Sequence, residues 1–393
     1  MKLLHTSDWH VGKTVRGNGR ADEHVAVLAE IVGVATSHEV DLILVAGDLF
    51  DSAAPSAEAE RIVYHALLAL AGTGAELAII SGNHDNARRL EALTPVFEAA
   101  GDIHLVTRPV AADRGGVRRL TMRSGEQVNL AMLPFVSKRG IVRAADLLTK
   151  AAYELAQEYA ARVGSVISML AGSFHADAVN VLMAHTFVHG GQLGGGERMA
   201  HFVEDYAISA QSLPVDAGYV ALGHVHRPQK IAAGAPVHYC GSPLQMDFGE
   251  QSQTKQVNIV ELEPGIPATV TAVKLTSGRP LHTVRGSLEE LRAAADESWL
   301  VDAWVQAVIT DDARAGLADD VRAVLGERVV DVRLERTGRP RGGAPTADLR
   351  IGRRPQDLFS EYLDRQGLAD ERVDRAFADL LDRELSPGDL ADD

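Results

Sequence analysis

The chain has 393 residues, 46% hydrophobic and 24% charged, a globular composition that excludes disordered, collagen-like and disulfide-framework classes and leads one to expect two or three domains. Its 39 basic and 54 acidic residues leave a net charge of −15, so phosphate recognition would have to draw on bound divalent cations or a partner as well as on Lys and Arg. The single cysteine, Cys240, excludes an intramolecular disulfide and thiolate-rich metal sites; with a polar MKLLHTSDWH start and no apolar run near the ~18 residues of a membrane span, the expected home is the cytoplasm.

In chain order, KLLHTSD reads as a short apolar strand, and 22 to about 38 as a helix with Val25, Leu28, Ala29, Val32 and Ala35 at helical spacing. VDLILVAGD is an almost unbroken apolar run closed by Gly and Asp, the pattern of a strand buried on both faces. The unit repeats: 57–70 is helical, and AELAIISGNHD is again a strand closed by Gly and polar residues. VNLAMLPF, VNVLMAHTF, AGYVALGHVH and PVHYCGSP fit later strands, and 144 to about 170 a long amphipathic helix. An α/β fold with covered sheets is expected. Composition shifts at 275–280, after the alternating strand PATVTAVKL, so 1–275 is expected to form one large domain. LHTVRG, SLEELRAAAD, WVQAVIT, ARAGLADDVRAVLG and VVDVRLER then read as strand, helix, strand, helix, strand, a small α+β module over 276–340. The remaining 341–393 belongs to a basic linker, with seven Arg against two acidic residues between Arg333 and Arg354, and two helices. Leu358, Phe359, Tyr362 and Leu363 line the first helix; Val373, Phe377, Leu380 and Leu381 line the second, with Asp370 as its N-cap.

Five polar clusters each close an apolar run: Asp8-Trp9-His10, Gly47-Asp48, Gly82-Asn83-His84-Asp85, His185, and Gly223-His224-Val225-His226. Strand residues i and i+2 project to one face, so Asp8 with His10, and His224 with His226, are expected to point as pairs into one site. In helix-covered sheets ligands bind beyond the carboxyl ends of the strands, where all five clusters fall. The adjoining glycines permit sharp turns and close backbone approach. Imidazole and carboxylate donors without sulfur favour Mn2+, Fe2+ or Zn2+ over Ca2+ and do not choose among the three. Asp48, between two ligand sets, suits a bridge. Ions bridged in this way lie ~3.5–4 Å apart, clamp the attacking and leaving oxygens of a phosphodiester, and lower the pKa of a bound water. Taken singly, an Asp after Gly is more often a turn residue and a buried His more often a core residue. The coincidence of five clusters at five strand ends singles them out, and the ten other histidines, including His5, His65, His189 and His238, are assigned to surface or packing.

The clusters resemble the calcineurin-like metallophosphoesterase superfamily, and HTSDWH, VAGDLFD, GNHD, ALGHVH and YCGSP together resemble its SbcD/Mre11-type nuclease subunits over essentially the whole chain. That resemblance implies a four-layer α/β/β/α sandwich with a small α+β capping domain and a C-terminal helix pair. It implies that Asp8, His10 and His226 hold one ion and Asn83, His185 and His224 the other, with Asp48 bridging and Mn2+ as the metal. His84 would protonate the leaving 3′ oxygen, while Asp85 either orients its ring or caps the following helix. Where archaeal and eukaryotic relatives often carry a further His three residues after the bridging Asp, this chain has Asp51. The implied activity is a DNA double-strand exonuclease and single-strand or hairpin endonuclease in repair and recombination. The 276–340 module would cap the DNA site, and the last helices, which could also fold back on their own domain, would dock on an SbcC-like ATPase, within a heterotetramer containing a homodimer of this chain. The Arg-rich linker is either a phosphate contact or a solvated segment. The alternative is a phosphatase or phosphodiesterase of the same superfamily acting on small molecules, because a metal centre does not report what lies beyond the phosphate. An idle scaffold would have lost donors, and all seven are retained together with His84.

Overall fold

The alternation of side chains along the central strands explains how two sheets come to be stacked. In a computed structural model describing residues 1–137, 152–196, 206–335, 355–366, 370 and 372–377, strand β1 (Lys2–Thr6) sends Leu4 toward helices and Leu3 toward a second sheet. After helix α1 (Ala21–Ser37), strand β2 (Leu42–Ala46) turns Ile43 and Val45 one way and Leu42, Leu44 and Ala46 the other. Helix α2 (Ala57–Ala71) starts at Ser56, whose side chain accepts from the Ala59 N–H, and leads to β3 (Glu76–Ile80) with the same division of faces. Short helices α3 (Ala87–Glu91) and α4 (Thr94–Ala100) precede β4 (Ile103–Val106).

The second sheet begins with β5 (Val117–Thr121) and β6 (Gln127–Leu133); helix α5 (Ala152–Ala171) and β7 (Val179–His185) follow. Of the long helix expected from 144, residues 144–151 lie outside the described residues. A small pair, β8 (Phe187–Val188) and β9 (Ala207–Ile208), precedes β10 (Tyr219–Gly223), β11 (Gln229–Ile231) and β12 (Val237–Tyr239). Strands β13 (Gln256–Glu263) and β14 (Ile266–Lys274) then return to the first sheet. The sheet orders are β14-β13-β1-β2-β3-β4 and β11-β12-β10-β7-β6-β5.

Three apolar layers hold the four structural layers together. Leu44, Ile80, Met132, Val181 and Tyr219 belong to the cluster between the sheets; α1 and α2 cover the outer face of the first sheet, and α5 covers that of the second. This is the α/β/β/α sandwich. Leu44 is fully buried at the centre, so Leu44→Ala is expected to cost about 2–5 kcal/mol. The apolar stripe of α2, Ile62, Val63, Ala66, Leu67 and Leu70, is buried in this core.

The α+β module consists of β15 (Leu281–Gly286), α6 (Leu288–Ala294), β16 (Trp304–Ile309), α7 (Leu317–Leu325) and β17 (Val329–Leu334). Its three strands are parallel, in the order β15-β16-β17, and Leu291, Val305, Ala307, Val321 and Leu325 form its own core. Leu281 and Trp304 also pack with Val15 and Phe248 of the sandwich. Trp304 Nε1 donates to Glu23 at 2.8 Å, and the Arg279 N–H donates to the same carboxylate at 2.7 Å. Residues Met1–Glu335 form one unit and Arg336–Asp393 a second. Within the second, helix α8 (Pro355–Gln366) stacks Phe359 on Phe377 of the helical stretch 372–377, with ring centroids 3.9 Å apart. Asp370 accepts the Arg372 N–H at 2.9 Å, an N-cap contact. The Arg-rich stretch 336–354, Leu380 and Leu381 lie outside the described residues. Among the described residues no helix is long and apolar enough to cross a membrane.

Candidate metal centre

The two sheets turn their carboxyl edges toward the same place. From the first, β1, β2 and β3 are adjacent and parallel, and their ends carry Asp8 and His10, Asp48, and Asn83 with His84. From the second, the parallel neighbours β7 and β10 carry His185, and His224 with His226. The edges meet because Gly223 has no side chain: a Cβ there would stand 1.9 Å from the Ala46 carbonyl oxygen.

All seven expected donors come together. Single donor atoms of Asp8, His10 and His226 lie within 4.8 Å of one another, as do those of Asp48, His185 and His224 and those of His10, Asp48 and His84. Nε2 of His10 is 3.0 Å from Nε2 of His226. Asn83 Oδ1 lies 2.7 Å from His224 Nδ1 and 3.1 Å from His185 Nε2. Asp48 sits between the groups, with Oδ2 3.6 Å from His10 Nε2 and 3.4 Å from His185 Nε2, while its Oδ1 accepts the His84 N–H at 2.8 Å. Asp8 is fixed by Ser7 Oγ at 2.6 Å and by the His224 N–H at 3.0 Å.

The i, i+2 pairing expected from strand pleating has a different origin. Asp8 and His10 lie beyond the end of β1 with φ of 53° and 45°, and Asp48 and His224 also have positive φ, 52° and 104°. Left-handed backbone at non-glycine residues costs on the order of 1 kcal/mol each and persists only where the surroundings enforce it, a pattern typical of binding sites. Backbone bonds from Asp8 N to the Gly47 carbonyl and from His10 N to the Asp48 carbonyl, both 3.0 Å, carry the β1–β2 ladder through this turn.

His185 Nδ1–H donates to the Ala46 carbonyl at 2.8 Å, and its Nε2 faces the Asn83 oxygen at 3.1 Å and an Asp48 oxygen at 3.4 Å. Burial disfavours a charged His185 ring, yet the Asp48 charge outweighs it and pushes the pKa up to about 9. Burial would raise Asp48, but His185 and His10 hold it well below the usual carboxylate range. His10 is driven well below its ordinary value by burial, with His226 and His84 opposing the help it gets from Asp48. A convergent, sulfur-free set of imidazole, carboxylate and carboxamide donors, six of the seven buried, fits a divalent metal.

Asp85 takes neither of the roles expected for it. Its carboxylate accepts backbone N–H groups of Gly82 (2.8 Å), Phe50 (3.0 Å) and Leu49 (3.3 Å), locking the β2 and β3 loops together. The His84 ring is oriented instead by the Asp51 carbonyl, 2.7 Å from Nδ1, and α3 is capped by Asn86. Asp85 is raised to about 7, by burial first and by Asp48 second. Asp51 bonds Lys13 at 3.2 Å. Sequence reasoning missed Glu250 and Lys255, buried behind His226, and Phe135, stacked 5.9 Å from the His224 ring. Glu250 ends no apolar run, so no strand-end signal marks it.

Residues 1–228 match the family described as calcineurin-like phosphoesterase, and 277–367 match the type 5 capsule protein repressor C-terminal domain. The SbcD subunit of the nuclease SbcCD from Bacillus subtilis is 36% identical over 311 residues, 78% of each chain. Its namesake in Rhodobacter capsulatus is 32% identical over 74% of this chain and 76% of that one, and the Escherichia coli K12 protein 28% identical over 86% of both. The chain belongs to the SbcD family of calcineurin-like phosphoesterases.

Proposed function

We propose that this protein is a Mn2+-dependent DNA nuclease, a double-strand exonuclease and single-strand or hairpin endonuclease that works with an SbcC-like ATPase. The observation that carries the reading is the convergence of seven donors, three on either side of Asp48. Asp8, His10 and His226 would hold one ion, Asn83, His185 and His224 the other, and Asp48 both. Two ions held this way would supply Lewis-acid charge for a phosphodiester and would lower the pKa of a bound water.

The chain's own groups do the remaining work. The Asp51 carbonyl accepts from His84 Nδ1–H and so orients the ring; as the imidazolium, with a proton on each nitrogen, His84 would give its Nε2 proton to the leaving 3′ oxygen and keep the Nδ1–H bond. His84 packs edge-on against His10 with ring centroids 4.7 Å apart, which keeps that atom beside the metal-holding groups. Asp85 clamps the two loops that carry Asp48 and Asn83, so its role is to hold donor geometry. The α+β module is proposed to cap the DNA, and the helices of the second unit to dock on the ATPase, in a heterotetramer containing a homodimer of this chain.

The test is a hairpin oligonucleotide incubated with MnCl2. Nucleotide release by wild type and its loss in Asp48→Asn are expected. Hydrolysis restricted to small phosphate esters refutes DNA as substrate.

A further inference from the structure

His226 is backed differently from the other donors. Its Nδ1–H donates to Glu250 Oε1 at 2.9 Å, which turns Nε2 toward Asp8 and His10. Glu250 is fully buried, and its second oxygen accepts Lys255 Nζ at 2.7 Å and the Met246 N–H at 2.9 Å. Lys255 Nζ is in turn held by the His226 carbonyl at 3.0 Å and Ser242 Oγ at 2.9 Å. His185, by contrast, is backed only by the neutral Ala46 carbonyl.

The surroundings protect this contact. Glu250 sits in a turn anchored by Phe248, which is buried with Val15, Leu281 and Trp304. Gly196 covers it from the other side: a Cβ there would stand 2.2 Å from Glu250 Oε1 and 3.1 Å from His226 Nδ1. A buried ion pair contributes little to stability when weighed against an apolar replacement, so its placement behind a metal-facing imidazole calls for another role.

We propose that Glu250, neutralised by Lys255, is a positioning residue that fixes the tautomer and aim of His226 and strengthens it as a metal donor. This rests on the metal-centre reading above. A carboxylate behind a ligating imidazole typically accounts for 10–100-fold in metal affinity. The effect belongs to the group containing Asp8 and His10, and the group containing Asn83 and His185 is untouched.

The experiment is calorimetric titration of the metal-free full chain with MnCl2. Wild type is expected to bind in two steps, one removed by Asp8→Asn and the other by Asn83→Ala. Glu250→Gln, which keeps an acceptor but loses the charge, is expected to weaken the Asp8-dependent step about 10–100-fold and leave the other unchanged. Gly196→Ala alters no charge and is expected to weaken the same step by displacing the carboxylate. Unchanged binding in folded variants, or equal weakening of both steps, overturns the inference and leaves the metal centre standing. If Glu250→Gln does not fold, Gly196→Ala decides on the same readout. If neither folds, Glu250 is a structural residue and the inference is overturned. A wild-type chain that takes up no Mn2+ sinks the metal-centre reading and this inference with it.

Discussion

Replacing Asp48 by Asn should uncouple metal from stability. In the metal-free chain Asp48 lies 3.6 Å from His10 and 3.4 Å from His185, and the amide would still accept the His84 N–H now held at 2.8 Å. The variant should therefore fold while losing the charge that both metal positions share. For wild type, free Mn2+ at one hundred times the dissociation constant contributes about 2.7 kcal/mol per site, or about 5 kcal/mol for two. Unit Met1–Glu335, at roughly 2.1 cal/mol/K per residue, has a melting entropy of about 0.7 kcal/mol/K. The midpoint should rise by about 7 °C. Differential scanning calorimetry with chelator and then with MnCl2 measures it for both proteins, and Asp48→Asn should keep less than half of the shift. A wild-type shift under about 2 °C, or equal shifts in the two proteins, would refute the reasoning that these donors form a shared metal centre around Asp48.

His84→Ala should lower nucleotide release by about 10²–10⁴-fold while two Mn2+ ions still bind, checked by turnover assay beside metal analysis. Asp85→Ala strands three backbone N–H groups, so denaturant unfolding of the metal-free chain should show a loss of about 3 kcal/mol or more; unaltered stability with lost turnover would restore a catalytic role. Acid should loosen the joint between sandwich and α+β module. Burial would raise the Glu23 pKa, but Arg20 outweighs it and keeps the carboxyl below its ordinary range. Because the folded value is depressed, the stabilisation is complete above the ordinary carboxylate pKa and is lost as pH falls through the folded one. Fluorescence of Trp304, whose Nε1 donates to Glu23, should follow that transition, and Glu23→Gln should abolish its pH dependence.

The central strands were legible in the sequence because burial on both faces leaves an unbroken apolar run. VDLILVAGD and AELAIISGNHD became β2 and β3, with neighbours on both sides. Edge strands carry no such mark: β5, VRRLT, has no fully buried residue, and the Arg pair in its middle breaks any apolar run. Strand β13 also escaped notice, since it pairs antiparallel with β1 from 256 onward and nothing local announces so distant a partner.

The same division runs through the site. Donor identity was written in the sequence, because Asp, Asn and His at five strand ends are costly to bury for any purpose but binding. Their convergence was decided by tertiary structure, which brings the His224 N–H to the Asp8 carboxylate across 216 residues. It also decided what stands behind them: Asp85 turned from the His84 ring to three backbone N–H groups, and Glu250 was set behind His226. Local sequence fixes which atoms can bind a cation, whereas which acceptor orients each imidazole depends on loops packed from elsewhere in the chain, and no spacing rule encodes that.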